Sequence, residues 1–456
     1  MTGRVAVIGL VPARADRPRP RGAFTVEGDT MGKPTARDAV LRAVDEARDE
    51  IVALAQALIR IPTVNPPGDL YEPCARLLGD TLLGQGYEVS YHTATERAEH
   101  SARHPRVNVV GRRRGASERP CVHLNGHLDV VPPGAGWTTD PFAGEVRDGR
   151  LYGRGASDMK GGIAAAVLAA ECVRRAGVAL AGTVEISGTV DEESGGWAGV
   201  AHLARAGRLT SRTTDFVIIP EPFGADRICV GHRGVYWFAV EAHGRIAHGS
   251  MPFLGANAIA HMGALLHAVD CELQPTLASR RTDVPVVPAG ARHATLNVNG
   301  ITGGQGDAEV QSPCVAHHCR AVFDRRYLAE EVFDDVRGEV EALLRRVERD
   351  TPDAHFTLRD LMHVAPVRTP DGSPLVQALA RGIAEVTGRA AELVASPGTY
   401  DHKHVARLGG IEHCVAYGPG RLECSHQPDE WCDVDELVRA SQVMALTLLD
   451  LAGGSR

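Results

Sequence analysis

The stretch 121–161, CVHLNGHLDVVPPGAGWTTDPFAGEVRDGRLYGRGASDMKG, decides how the rest of the chain reads. Its apolar start, Cys121 to Leu124, predicts a strand that runs into Gly- and Pro-rich sequence carrying His127, Asp129 and Asp158. Histidine and aspartate ligate divalent metals, and loops at strand ends are where a rigid scaffold presents such groups. Residues two apart in an extended segment share a face. Asp129 is therefore expected beside His127, its carboxylate accepting a hydrogen bond from the second imidazole nitrogen. Standing alone, His-x-Asp also reads as a polar surface loop, and Asp158 reads as a cap for the helical run Gly161 to Arg174.

Two further strand ends change that balance. Thr183 to Val190 is an apolar strand that runs straight into Asp191-Glu192-Glu193. Adjacent acids at the end of a buried strand repel one another unless a cation or a raised pKa relieves them. Phe216 to Ile219 reads as another strand, and Pro220 and Pro222 hold Glu221 at its end. Short strands alternating with helices up to this point predict an α/β sandwich whose polar residues collect at the carboxyl ends of the strands.

Working outward, apolar residues from Val40 to Ile59 at three- and four-residue steps predict a helix from Thr35 that Pro62 stops. A second helix is expected from Tyr71 to Leu83. Past His232 the rhythm changes: strands at 235–242, 294–301, 315–323 and 354–358 and helices at 255–268 and 328–347 predict a separate α+β unit. The α/β pattern resumes after Pro366 and ends in an Ala- and Leu-rich helix. The expected organisation is a disordered tail at 1–34, a catalytic domain in two parts at 35–232 and 365–456, and an inserted domain at 233–364.

Composition narrows the class. With 456 residues, 44% hydrophobic and 23% charged, this is the composition of a globular protein of two domains. The net charge is -8, and Lys occurs only at Lys33, Lys160 and Lys403, which gives no electrostatic case for nucleic acid. No apolar run approaches the roughly 20 residues of a membrane span. The 10 cysteines form no CxxC ladder, which favours reduced, buried thiols over disulfides. Val5 to Val11 makes a poor signal peptide, since Arg- and Pro-rich sequence follows it, and a cytoplasmic location is expected.

Taken together, the motifs resemble the di-zinc amidohydrolase and metallopeptidase superfamily of acetylornithine deacetylase, succinyl-diaminopimelate desuccinylase, aminoacylase and glutamate carboxypeptidase. They are Gly126-His127-Leu128-Asp129, Gly153-Arg154-Gly155 through Asp158-Met159-Lys160-Gly161, Asp191-Glu192-Glu193, Pro220-Glu221-Pro222, Ala247-His248, Asp324-Arg325-Arg326 and Ser425-His426-Gln427-Pro428-Asp429-Glu430. The resemblance implies a zinc-peptidase-like α/β sandwich with an inserted α+β lid and dimerisation domain. It implies that His127, Asp158 and Glu221 hold one divalent ion and Asp158, Glu193 and His426 the other, with Zn²⁺ favoured and Co²⁺ or Mn²⁺ as substitutes. Glu192 would move the proton of a water shared by the two ions, Asp129 would support His127, and His248 would stabilise the oxyanion from the other subunit of a homodimer. Arg326, Asn297 and Gly398 match substrate-binding positions, with Arg325 as a solvent-facing competitor. The implied reaction is hydrolysis of a small N-acyl amino acid. A metallo-dipeptidase or carboxypeptidase with the same site, and more remotely a non-catalytic binding protein, are the alternatives. Around Tyr400-Asp401-His402-Lys403-His404 this chain departs from the family pattern, so the acyl group does not follow from the likeness.

Overall fold

A computed structural model describes residues 35–304 and 313–453. The expected N-terminal tail lies outside these residues. Among the described residues the central element is a nine-stranded sheet. Its middle is parallel: Thr183–Thr189 and Phe216–Ile219 flank Cys121–His127, and His413–Ala416 lies beyond Phe216–Ile219 in the same direction. Antiparallel strands Glu88–Thr93 and Val107–Arg113 finish one side. Arg227–His232 finishes the other, with Glu392–Ser396 and Val367–Arg368 paired to it.

Side-chain alternation along these strands builds two layers. Val122, Leu124, Ile186, Ile218 and Val415 join a core with apolar residues of helices Arg48–Ile59, Lys160–Arg175, Pro374–Thr387 and Val434–Ala452. On the opposite face Val217, Ile219, Cys414 and Ala416 pack with Val200 and Leu203 of helix Val200–Arg205 and Val405 of helix His402–Arg407. Each fully buried Val, Leu or Ile contributes roughly 1.5–3 kcal/mol to holding this arrangement. The sandwich expected from the strand–helix alternation is therefore the observed one. Its functional consequence is that several strand ends open on one edge.

Helix Lys160–Arg175 is pressed against one of those ends. A Cβ at Gly162 would stand 2.1 Å from the Pro220 carbonyl oxygen, so only glycine lets the first turn come that near the strand end bearing Glu221. Met159, not Asp158, occupies the capping position of this helix, which removes the competing reading of Asp158.

A second, antiparallel sheet orders Thr295–Gly303, His318–Tyr327, Gly234–His243 and His355–Val364. Helices Ala258–Ala268 and Phe333–Asp350 contribute Met262, Leu265, Val340 and Leu344 to a separate core with Tyr236, Phe238 and Phe323.

Several boundaries differ from those expected. The first helix is two, Ala36–Glu46 and Arg48–Ile59, with the Ala47 amide shared between the Ala43 and Val44 carbonyls. The helix expected from Leu328 begins at Phe333, because the Glu331 carboxylate takes the Leu328 amide and holds that segment as a turn. Helix Ala258–Ala268 continues through a π turn into Gln274–Ser279, and the short helix His402–Arg407 carries too few residues to show a period.

Candidate active site

His127 closes its strand, Glu193 lies in the tight turn Glu192–Ser194 after Thr183–Thr189, and Glu221 follows Phe216–Ile219. These are the ends of three neighbouring parallel strands. His127 Nε2 stands 3.1 Å from Asp158 Oδ1 and 3.8 Å from Glu221 Oε1. On the other side His426 Nε2 stands 3.4 Å from Asp158 Oδ2 and 3.1 Å from Glu193 Oε1. The two oxygens of Asp158 thus face two different imidazoles. His127, Asp158, Glu193, Glu221 and His426, five residues from distant motifs, come together in this way.

Asp129 works differently from expectation. His127 Nδ1 donates to the Asp129 backbone carbonyl at 2.9 Å, while the carboxylate is 3.7 Å away. The strand stops at His127, so the alternation that would put residues two apart on one face no longer applies. The backbone fixes the ring and turns Nε2 toward Asp158. The Asp129 carboxylate instead accepts from Asn65 Nδ2 at 2.8 Å and from the amides of Glu192 and Glu193 at 3.2 and 3.1 Å. It is a positioning residue for the acidic turn.

That turn is held from several sides. Asp191 has φ 62°, a left-handed conformation that costs an aspartate strain of order 1 kcal/mol. Tyr71 Oη donates to Asp191 Oδ1 at 2.8 Å and Arg106 Nε to Oδ2 at 2.9 Å. Asn65 also reaches Ser194 Oγ at 3.0 Å, His404 Nε2 donates to the Gly195 carbonyl at 2.7 Å, and Lys403 Nζ lies 3.4 Å from Glu192 Oε1. A parallel arrangement fixes Asp158: Glu430 Oε1 accepts the amides of Gly155, Ser157 and Asp158 at 3.1, 2.9 and 3.0 Å, and Arg154 pairs with the other oxygen. Asn65, Tyr71, Arg106, Lys403 and His404 escaped the sequence reading as site residues.

Burial and charge pull the cluster's protons apart. Burial, reinforced by the Asp158 charge and opposed by His426, pushes the Glu193 carboxyl up to about 7. Burial and the same neighbour hold Glu221 well above the usual carboxylate range. Burial also works against Asp158, but hydrogen bonds from His127 and His426 overrule it and keep this carboxyl below that range. Hydrogen bonds to Asp158 and Glu193 push His426 up to about 11. Burial depresses the His127 imidazole, yet its bond to Asp158 and the charges of Glu221 and Asp129 raise it on balance. Such a concentration of buried carboxylates calls for positive charge, and imidazole with carboxylate is the donor chemistry of Zn²⁺ and similar ions. His127, Asp158 and Glu193 each offer a donor atom, all within 4.8 Å of one another. The residues fit divalent cations.

The residues expected to meet substrate are bonded to local partners. His248 lies on an exposed loop, its Nδ1 accepting from the Ser250 amide at 3.2 Å and from its hydroxyl at 2.8 Å. Asn297 Nδ2 donates to Asn299 Oδ1 at 2.7 Å, and the Gly398 amide donates to Ser396 Oγ at 3.2 Å. Arg326 is paired with Asp324 at 2.7 Å. Arg325 reverses the expectation of a solvent-facing side chain: it is 1% exposed and bound to Glu331, whereas Arg326 is 24% exposed. Alternation along His318–Tyr327 places Arg325 on the helix-covered face with Phe323 and Tyr327.

Residues 123–450 match peptidase family M20/M25/M40. The chain belongs to this family. Among M20 relatives, the succinyl-diaminopimelate desuccinylase of Psychrobacter arcticus is 30% identical over 411 residues, 89% of this chain and 95% of that protein. The enzyme of that name from Stenotrophomonas maltophilia is 34% identical over 325 residues, 70% and 80% of the two chains. Of solved structures, human carnosine dipeptidase 1 is similar with a TM-score of 0.70 at 19% identity, over 91% of this chain and 99% of that one. An M20 family metallo-carboxypeptidase from Sulfolobus solfataricus gives 0.67 at 19% identity, over 88% and 99%. These structural likenesses show a shared fold.

Proposed function

We propose that this protein is a metal-dependent amidohydrolase of the deacylase type, cleaving the amide of a small N-acyl amino acid or related derivative that carries a free carboxylate. The observation that carries this reading is Asp158, whose two oxygens face His127 and His426 beside an acidic turn bearing both Glu192 and Glu193. In this reading His127, Asp158 and Glu221 hold one divalent ion and Asp158, Glu193 and His426 hold the second. Zn²⁺ suits these donors best, and Co²⁺ or Mn²⁺ substitute for it. Bound there, such ions supply Lewis acidity and a water of lowered pKa.

The chain's own residues do the rest. Glu192 takes the proton of the attacking water and returns it to the leaving nitrogen. Asp129 holds the adjacent amides, so that Glu192 and Glu193 keep separate tasks. Arg326 exchanges Asp324 for the substrate carboxylate, an interaction a guanidinium makes in bidentate fashion, while Asn297 and Gly398 line the pocket. His248 of a second copy donates to the oxyanion, which makes the active form a cytoplasmic homodimer joined through the inserted unit 233–364. The exposed loop position of His248 supports delivery to another copy, and the 10 unpaired thiols suit a reducing compartment.

A second reading, a dipeptidase or carboxypeptidase, uses the same residues and is favoured by the fold shared with carnosine dipeptidase 1 and the metallo-carboxypeptidase. Metal-reconstituted protein assayed for amine release from N-acetyl and N-succinyl amino acids and from dipeptides separates the two. Release from N-acyl amino acids is the expected result. Release from dipeptides alone selects the second reading, and no release from any amide overturns both.

A further inference from the structure

The Glu192 carboxylate has one hydrogen-bond partner among the described residues, and it is Lys403 Nζ at 3.4 Å. The backbone of Glu192 is tied to Asp129, but that bond leaves the side-chain torsions free. Glu193 differs, since His426 holds its carboxylate directly. Lys403 supplies the missing constraint from a part of the chain where the sequence leaves the family pattern.

The pair is almost dry: the Lys403 side chain is 6% exposed and that of Glu192 11%. A fixed opposite charge stabilises an ammonium in such a place, and low solvent exposure strengthens that attraction. Lysine is scarce in this chain, the other described one being Lys160, whose Nζ donates to the carbonyls of Leu58 and Ile61. Lys160 ties backbone together, whereas Lys403 is aimed at a carboxylate.

Its mount is rigid. Helix His402–Arg407 is anchored to the acidic turn by the bond from His404 to the Gly195 carbonyl, and the His404 ring lies 4.7 Å from that of Trp197. Asp401 packs so near Gly196 that a Cβ there would stand 2.5 Å from its Oδ1, and Gly196 has φ 75°. Asp401 Oδ2 accepts from Asn125 Nδ2 at 3.3 Å, and Asn125 accepts from Ser187 Oγ at 2.6 Å in the buried polar row beneath the site.

We propose that Lys403 is the positioning residue for Glu192, aiming that carboxylate toward the cluster from a helix clamped to the same turn. The proposal rests on the amidohydrolase reading. Wild-type turnover tests that reading, and the ratio of variant to wild type tests Lys403. The measurement is kcat, KM, bound metal and thermal midpoint for Lys403→Met, Lys403→Arg and the exposed-site control Arg407→Met, on whichever amide the wild type cleaves. Misplacement of a reacting group by an ångström costs about 100-fold in rate. Lys403→Met is expected to lower kcat by about that factor, with KM and bound metal unchanged. Lys403→Arg should restore at least a tenth of wild-type kcat, and Arg407→Met should match wild type. If Lys403→Met does not fold, Lys403→Gln, which keeps a donor without the charge, is expected to show the same selective loss of kcat. Unchanged kcat overturns the proposal. So does a rise in KM at constant kcat, which makes Lys403 a substrate contact, or a loss that tracks the thermal midpoint and that arginine does not relieve, which makes it merely structural.

Discussion

The acidic turn Asp191–Gly196 and the loop bearing His248 contrast sharply. Tyr71, Arg106, Asn65, Asp129, Lys403 and His404 all bind the turn, and their bonds lie between 2.7 and 3.4 Å. The His248 side chain is exposed and, among the described residues, bonds to Ser250 alone. The groups proposed to hold metal and move the proton are preorganised within one chain, where misplacement is costly. In the proposed reading the oxyanion and substrate contacts await a partner copy, a substrate or both. In this account chemistry resides in the pinned half and selectivity in the open half.

The largest expected effect attacks the pinned half. Asp158→Asn removes the carboxylate proposed for both ion positions, so metal analysis should show loss of bound metal and amine release should fall to background. An Asp158→Asn protein that retains its full metal content would break the assignment of Asp158 as the shared ligand.

A smaller loss is expected in the open half. His248→Ala should lower kcat by about 10²–10³-fold, as removal of one oxyanion donor does, without altering metal content. Co-expression of His248→Ala copies with Glu192→Gln copies should then recover activity, because the mixed dimer contains one site with both groups. Recovery sharpens the contrast by placing His248 in the partner's site, and mixtures as inactive as either parent would abolish it.

The smallest effect concerns the clamp itself. Burial pushes the His404 imidazole down to about 3, against about 6.5 in an unfolded chain. Between these values the unfolded state binds the extra proton, so stability falls as pH drops below about 6.5, by about 2 kcal/mol at pH 5 for this group. His404→Gln keeps a donor for Gly195 and cannot titrate. Its thermal midpoint should fall less between pH 7 and pH 5 than that of the wild type, and parallel pH profiles would show that His404 is not held neutral by the fold.

The five clustered residues were legible because each sits where an apolar run or a glycine-rich turn ends in a group that serves no purpose in a core. His127, Glu193 and Glu221 follow strands directly, and parallel neighbours bring such ends together. The clamp was illegible for the opposite reason. Asn65 and Asp129 are 64 residues apart, and Lys403 and Glu192 211, with nothing in either segment to signal the pairing. Helix His402–Arg407 is six residues long, too short for a hydrophobic period to identify. The exchange of roles between Arg325 and Arg326 turned on strand parity: a one-residue step sends a side chain to the opposite face, and composition does not say which face the helices cover.

The central claim is that Glu192 moves the proton in a metal-dependent amide hydrolysis. Its most direct test is Glu192→Gln, prepared with the same bound metal as the wild type and compared with it on the best-cleaved amide. Unchanged metal content and a loss of kcat of about 10²–10⁴-fold are expected. A metal-loaded Glu192→Gln enzyme that releases amine at the wild-type rate would contradict it.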